Sequence, residues 1–287
     1  MIRFPSVLLF LTSLTAPSLH AEILAEFVSA SEPGLSNPHD LKLSPDGRHL
    51  LVSDVGNDRV AFLDPESLAF VGEFGSEHQS GTHDVDFDEQ GNVYVADTHN
   101  NRVLIYRLEG TKAKLTDELD ERIRGPEGVL AHPNGRVYVA GAWSNNVVAY
   151  ENGKLVHELD GLASPHDLEL AADGQQIWLA DAANDRVLLL TESLQIKQEL
   201  SPETYRFNGV RYMDLLDDGT LILADKNNHQ VKFIRPDGAM PLVLGDGQPG
   251  KGPDRFTTPE GVEVRGHDVW FSDSGNNRVV RYRLKLP

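Results

Sequence analysis

Cysteine is absent from all 287 residues. That excludes a disulfide framework, thiolate-held zinc and thiolate-held iron–sulfur clusters, and it leaves the compartment open. Positive charge is scarce too. Against 44 aspartates and glutamates stand 26 lysines and arginines, a formal charge of -18. Such a surface repels phosphate backbones, so nucleic acid is not expected as a partner. No Gly-x-Ser-x-Gly elbow or Walker loop occurs, which removes two common routes to hydrolase and nucleotide chemistry. Long apolar runs are missing as well, and nothing along the chain approaches a membrane span.

What is present begins with a leader. Arg3 precedes the apolar run Val7-Leu8-Leu9-Phe10-Leu11, and a polar stretch then ends at Ala21. One positive charge, a short apolar core and a small exit residue describe a secretory signal peptide. The expectation is therefore a signal peptide over 1–21 and a single domain over 22–287, secreted into a bacterial periplasm. With 40% hydrophobic residues that domain can bury a sizeable core.

Internal repeats set the architecture. The clearest copy reads Thr82-His83-Asp84-Val85-Asp86-Phe87, then Gly91 to Asp97, then Asn100-Asn101-Arg102-Val103. Five further copies open at Pro38-His39, Pro126-Glu127, Pro165-His166, Phe207-Asn208 and Pro259-Glu260. Successive openings lie 44, 44, 39, 42 and 52 residues apart, the size of one propeller blade. Within each copy Val85-type alternation, a glycine turn and a strand ending in aspartate read as strand, turn, strand, turn, strand. Five residues after Asp54, Asp97, Asp181 and Asp273 comes an arginine, a spacing that suits a charge-assisted pair closing one hairpin. Blade 3 has Gly141 and Asn146 instead. The sixth copy runs out of chain after three strands, so the apolar segment Ile23 to Val28 is expected to supply its outer strand and close the ring. The reading is all-β, a six-bladed propeller closed by the mature N-terminal strand.

These copies resemble NHL repeats, on the strings Gly91-Asn92-Val93-Tyr94-Val95-Ala96-Asp97 and Asn100-Asn101-Arg102-Val103 and on Pro259-Glu260-Gly261-Val262. The resemblance covers residues 36–283. NHL propellers include enzymes, sensors and protein-binding modules, so it fixes no activity.

The residue that opens each inner strand lies at the channel mouth. From blade 1 to blade 6 the reading gives His39, His83, Glu127, His166, Asn208 and Glu260. Three of only 11 histidines fall in these six places. Imidazoles with a carboxylate and open positions are how proteins build catalytic zinc sites and some iron or manganese sites. His39, His83, His166, Glu260 and Asn208 are therefore candidate ligands for a divalent metal, with zinc first, iron, manganese or copper next, and calcium suited to the oxygen donors. A histidine at a variable repeat position also fits a water-lined, inert channel. Asp40, Asp84 and Asp167 each follow a ring histidine and either orient an imidazole, approach an ion, or bond neighbouring amides.

The strings Pro38-His39-Asp40-Leu41, Thr82-His83-Asp84-Val85 and Pro165-His166-Asp167-Leu168 resemble the metal-binding stretches of peptidyl-hydroxyglycine α-amidating lyases. That resemblance implies axial zinc on three histidines, calcium deeper in the channel and a lyase activity. The lyase draws its histidines from alternate blades, whereas here they stand in blades 1, 2 and 4. Asn208 is also similar to the axial asparagine of gluconolactonase-type propellers. Two functions follow. In one, a metal-dependent lyase or hydrolase acts on a small molecule or peptide, with Glu127 or Glu260 as general base and Arg124 or Arg206 holding a substrate carboxylate. In the other, the propeller is non-catalytic and binds a ligand or a periplasmic protein, with Trp143 as its anchor.

Overall fold

The computed structural model describes residues 22–286. The expected leader over 1–21 lies outside them. Six four-stranded antiparallel sheets form the blades. Their inner strands are Pro38–Leu43, Thr82–Phe87, Pro126–Ala131, Pro165–Leu170, Val210–Leu215 and Pro259–Arg265. As expected, the N-terminal strand Leu24–Ala30 pairs with Arg278–Lys285 and completes the sixth blade. Closure joins the two ends of the chain in one sheet and removes an unpaired edge.

The core is divided rather than central. Six apolar clusters each fill the gap between two successive blades. Second strands are covered on both faces, which is why Leu50–Asp54 and its equivalents are almost wholly buried and read as continuous apolar runs. Full burial of each such Leu or Val contributes about 1.5–3 kcal/mol. At the junction of blades 6 and 1, Trp270 is fully buried and its indole N–H donates to Pro65 O at 2.8 Å.

Polar groups repeat with the same regularity. Arg59, Arg102, Arg186 and Arg278 each donate to the strand-ending aspartate at 2.7–2.8 Å, closing the hairpin as the spacing predicts. In blade 5, Lys232 pairs with Asp225 instead, and in blade 3 Asn146 donates to Arg122 O and Glu158. A second device binds blade to blade. The residue before each of these positions (in blade 5 His229, before Gln230) is left-handed, and its side chain accepts the N–H at the start of the next blade. Asp58 takes Gly81 N, Asn101 takes Gly125 N, and Asn277 takes Asn37 N across the closure.

Candidate functional site: the channel mouth

Every inner strand carries a β-bulge directly after its first paired residue. Pro38 pairs with Asp54, but the next paired residue is Leu41; Thr82 and Val85, Pro165 and Leu168, and Pro259 and Val262 behave alike. A bulge re-aims side chains. In a flat strand His39 and Asp40 would point to opposite faces; here both turn to the channel, and Asp40, Asp84 and Asp167 lie together beneath the three histidines.

The register corrects one ring position. In blade 5 the residue paired with the strand-ending Asp225 is Val210, the counterpart of Pro38 and Thr82. The ring residue is therefore Arg211. Asn208 lies three residues earlier and is exposed; its N–H donates to Asp225 as Ser36 N–H does to Asp54. The mouth ring is thus His39, His83, Glu127, His166, Arg211 and Glu260. Two candidates stand apart from it: the side chains of Arg124 and Arg206 are exposed, and what these residues contribute is backbone, Arg206 O accepting from Lys232 and Asn228. Lys226, from the loop after Asp225, was not anticipated; its ammonium lies 2.5 Å from Glu260 Oε1.

The three imidazoles are held differently. Two residues before each ring position the backbone is left-handed, at Asn37, Gly81, Gly125, Ser164, Gly209 and Thr258. That turn brings a carbonyl under the ring. His83 Nδ1–H donates to Gly81 O at 2.8 Å and to Thr98 Oγ1, whose own proton goes to Pro126 O. His166 Nδ1–H donates to Ser164 O at 2.7 Å. Both rings therefore turn Nε2 into the mouth. His166 Nε2 meets Glu127 Oε2 at 2.5 Å, so both of its nitrogens face acceptors. His83 Nε2 has no such carboxylate, and burial lowers its pKa. His39 stands edge-on to His83, with ring centroids 4.6 Å apart, and burial followed by the neighbouring His83 pushes its pKa well down. Burial raises the Glu127 carboxyl, but His166 and the other imidazoles outweigh it and bring it to about 2.

Glu260 is fully buried between two cations, Lys226 at 2.5 Å and Arg211 Nε at 3.2 Å, with His39 Nε2 at 3.8 Å. Neither of its oxygens meets hydrogen-bond geometry, so charge rather than directed bonding holds it. Beneath, Tyr212 crosses from blade 5 to donate to Glu127 O at 2.8 Å. Of the aspartates that follow the histidines, Asp84 and Asp167 accept the amides of Val129 and Met213 from the next blade.

Residues 83–106 match the NHL repeat. Solved structures of similar fold cover more than nine tenths of the chain. A streptogramin B lyase structure superposes with a TM-score of 0.65 at 17% identity, covering 93% of this chain and 89% of that one. A catalytically inactive histidine-to-alanine variant of virginiamycin B lyase from Staphylococcus aureus, solved with quinupristin, gives 0.63 at 15% identity over 91% and 99%. The selenomethionine form of that lyase gives 0.63 at 14% identity over 93% and 100%. At these identities the likeness is one of fold. No curated protein matches the chain.

The donor set suits a divalent ion chemically, with two imidazoles of lowered pKa and Nδ1 of His83 fixed by a carbonyl. In the present rotamers, among the described residues, no three donors converge on one point. Glu260 is also committed to Lys226 and Arg211, and His166 to Glu127 and Ser164 O, which leaves His39 and His83 as the uncommitted donors.

Proposed function

We propose that the mouth ring is the acid–base site of a lyase or hydrolase acting on a small molecule or peptide. The opposite treatment of two imidazoles carries this reading. His83 presents a neutral Nε2 with a free lone pair, and His166 presents an Nε2–H backed by Glu127. A ring nitrogen with no acceptor before it can take a proton, and one that faces a carboxylate can give one. His83 takes a proton from substrate carbon or from water, and His166 returns one to the leaving group. Arg211 and Lys226 face the same space and oppose negative charge growing on a carbonyl oxygen. In an alternative arrangement, with His166 released from Glu127, a divalent ion held by His39, His83 and His166 would occupy those nitrogens and supply Lewis-acid polarisation in place of the acid–base pair. The virginiamycin lyase whose histidine-to-alanine variant is inactive has the same fold, and this supports reading a histidine of this propeller as essential.

The test incubates the protein with quinupristin and with a panel of peptide esters and lactones, with product masses as the readout. A lyase leaves the summed product mass equal to that of the substrate, whereas a hydrolase adds one water. Turnover lost in folded His83→Ala and His166→Ala proteins supports the reading, and turnover retained in both sinks it. Elemental analysis of untagged protein, with a His39/His83/His166 triple-alanine control, decides the metal. The exposed Trp143 favours a second reading, a ligand- or protein-binding propeller without chemistry; binding without turnover in the wild type would establish it.

A further inference from the structure

The first and second residues of the loop after each second strand form the rim above the ring. The second residues are Gly56, His99, Trp143, Ala183, Asn227 and Gly275. All six are exposed, yet their characters are unevenly placed. Blades 2 and 3 raise an aromatic wall, blades 4, 6 and 1 stay low with alanine or glycine, and blade 5 contributes Lys226 and Asn227 beside Arg211.

The wall is tightly built. The Trp143 indole lies nearly parallel to the His99 imidazole, at 21° with centroids 5.9 Å apart, and His99 is in turn 6.4 Å from His83 in the ring. Space for it is cleared by glycine. A Cβ at Gly125 would come within 2.3 Å of the indole, and one at Gly81 within 2.8 Å of His99. Blade 3 is also where the repeat gives up its aspartate–arginine lock. Gly141 and Asn146 stand in those places, and Trp143 N–H donates to Arg124 O at 3.0 Å to hold the altered loop. Trp143 is nevertheless 49% exposed, unlike the buried Trp270. An exposed aromatic surface beside charged groups is how proteins anchor a ligand at low entropic cost.

We infer that this rim is a specificity subsite: the ligand carries an aromatic ring that packs against Trp143 and His99, and a carboxylate or carbonyl that reaches Arg211 and Lys226 across the mouth. The inference rests on the mouth being a ligand site, but not on the chemistry performed there.

Two probes of equal charge separate the possibilities, N-acetyl-phenylalanyl-glycine and N-acetyl-alanyl-glycine, with binding followed by calorimetry and by tryptophan fluorescence. Wild type should bind the phenylalanyl probe about tenfold more tightly, a difference of about 1.4 kcal/mol. Trp143→Ala should bring the two probes within about twofold and Trp143→Phe should restore most of the gap, as expected of a side chain that contributes an aromatic surface. Equal binding, no binding at millimolar probe, or a preference that survives Trp143→Ala overturns the subsite. A folded His83→Ala protein should keep the preference. Preference without turnover in the wild type would therefore sink the lyase reading and leave the subsite standing.

Discussion

Two layers of the same channel teach different lessons. The mouth ring and the layer formed by Lys42, Asp86, Glu169, Asp214 and Glu263 come from the same six inner strands. Both are buried and heavily charged. In the lower layer the polar atoms are spent on the fold. Asp86 accepts Ala131 N–H at 2.8 Å, Asp214 accepts Val264 N–H at 2.6 Å, and Glu263 accepts Leu43 N–H at 2.9 Å, each from the following blade. Lys42 supplies the one cation, 3.3 Å from Glu169 and 3.5 Å from Asp86. In the mouth, by contrast, Nδ1 of His83 and of His166 is tied to a backbone carbonyl, and His83 turns its Nε2 inward with no carboxylate before it. Buried polar groups that are fully paired stabilise a fold, and those left open are where chemistry is found.

The sharpest way to break this contrast is to remove Lys42. Lys42→Met would leave Glu169, Asp86, Asp214 and Glu263 facing one another without a cation. Loss of one partner from a buried charge cluster costs about 3–5 kcal/mol. We expect a fall of that size in urea unfolding, with the midpoint shifting and the slope unchanged. A loss under about 1 kcal/mol would show that protonated carboxyls already share the burden.

Protonation gives the next largest effect. Burial pushes Glu169 up to about 8 against the pull of Lys42, raises Asp214 to about 6, and lifts Glu263 well above the carboxylate range. An acid with a folded pKa above its unfolded value holds more protons when folded. Its contribution is complete below about pH 4 and drains away as pH rises through the folded values, to about pH 8. Scanning calorimetry should show the melting temperature falling by about 5 °C or more from pH 5 to pH 8. Lys42→Met should steepen that fall. A melting temperature that rises over the same window would mean these carboxyls are ionised throughout.

On the other side of the comparison, His83→Ala should cost about 1 kcal/mol or less. Thr98 Oγ1 and Gly81 O lose one donor, and Thr98 keeps its bond to Pro126 O. Turnover should vanish while the melting curve hardly moves. A loss comparable with that of Lys42→Met would make the mouth as structural as the layer below it.

Much of this was legible in the chain itself. The repeat spacing yields the six blades, the missing sixth outer strand yields the closure, and five of six ring residues follow from the opening dipeptides. Asn208 misled because Phe207-Asn208-Gly209-Val210 imitates an opening. The interval from ring residue to strand-ending Asp, or Gly141 in blade 3, is 15, 14, 14, 15 and 13 residues in the other five blades, but 17 from Asn208 and 14 from Arg211. A fixed hairpin length thus held the signal. The aspartates after the histidines were legible as well, and of the roles open to them Asp84 and Asp167 take up the bonding of neighbouring amides. The bulge that turns them to the histidines' side has no composition of its own. Lys226 escaped because it reaches the mouth from a loop two strands removed, a proximity only tertiary structure creates.

The smallest effect probes how the mouth is held open. All six blades place a left-handed residue two positions before the ring, and three of them use glycine. Blade 6 uses Thr258, at φ 47°. A β-branched residue pays a steric cost there that glycine does not. The N–H of Thr258 donates to His229 Nδ1 at 3.1 Å, and glycine would keep that bond. Glycine also loses more freedom on folding, which offsets part of the relief. Thr258→Gly should therefore stabilise the protein by about 0.5–1 kcal/mol in chemical denaturation. Because Thr258 sets the entry of Glu260, relief of strain should also loosen the Lys226–Glu260–Arg211 cluster. If stability rises and turnover falls together, the strain belongs to the site; if both rise, the threonine is an accident of the repeat.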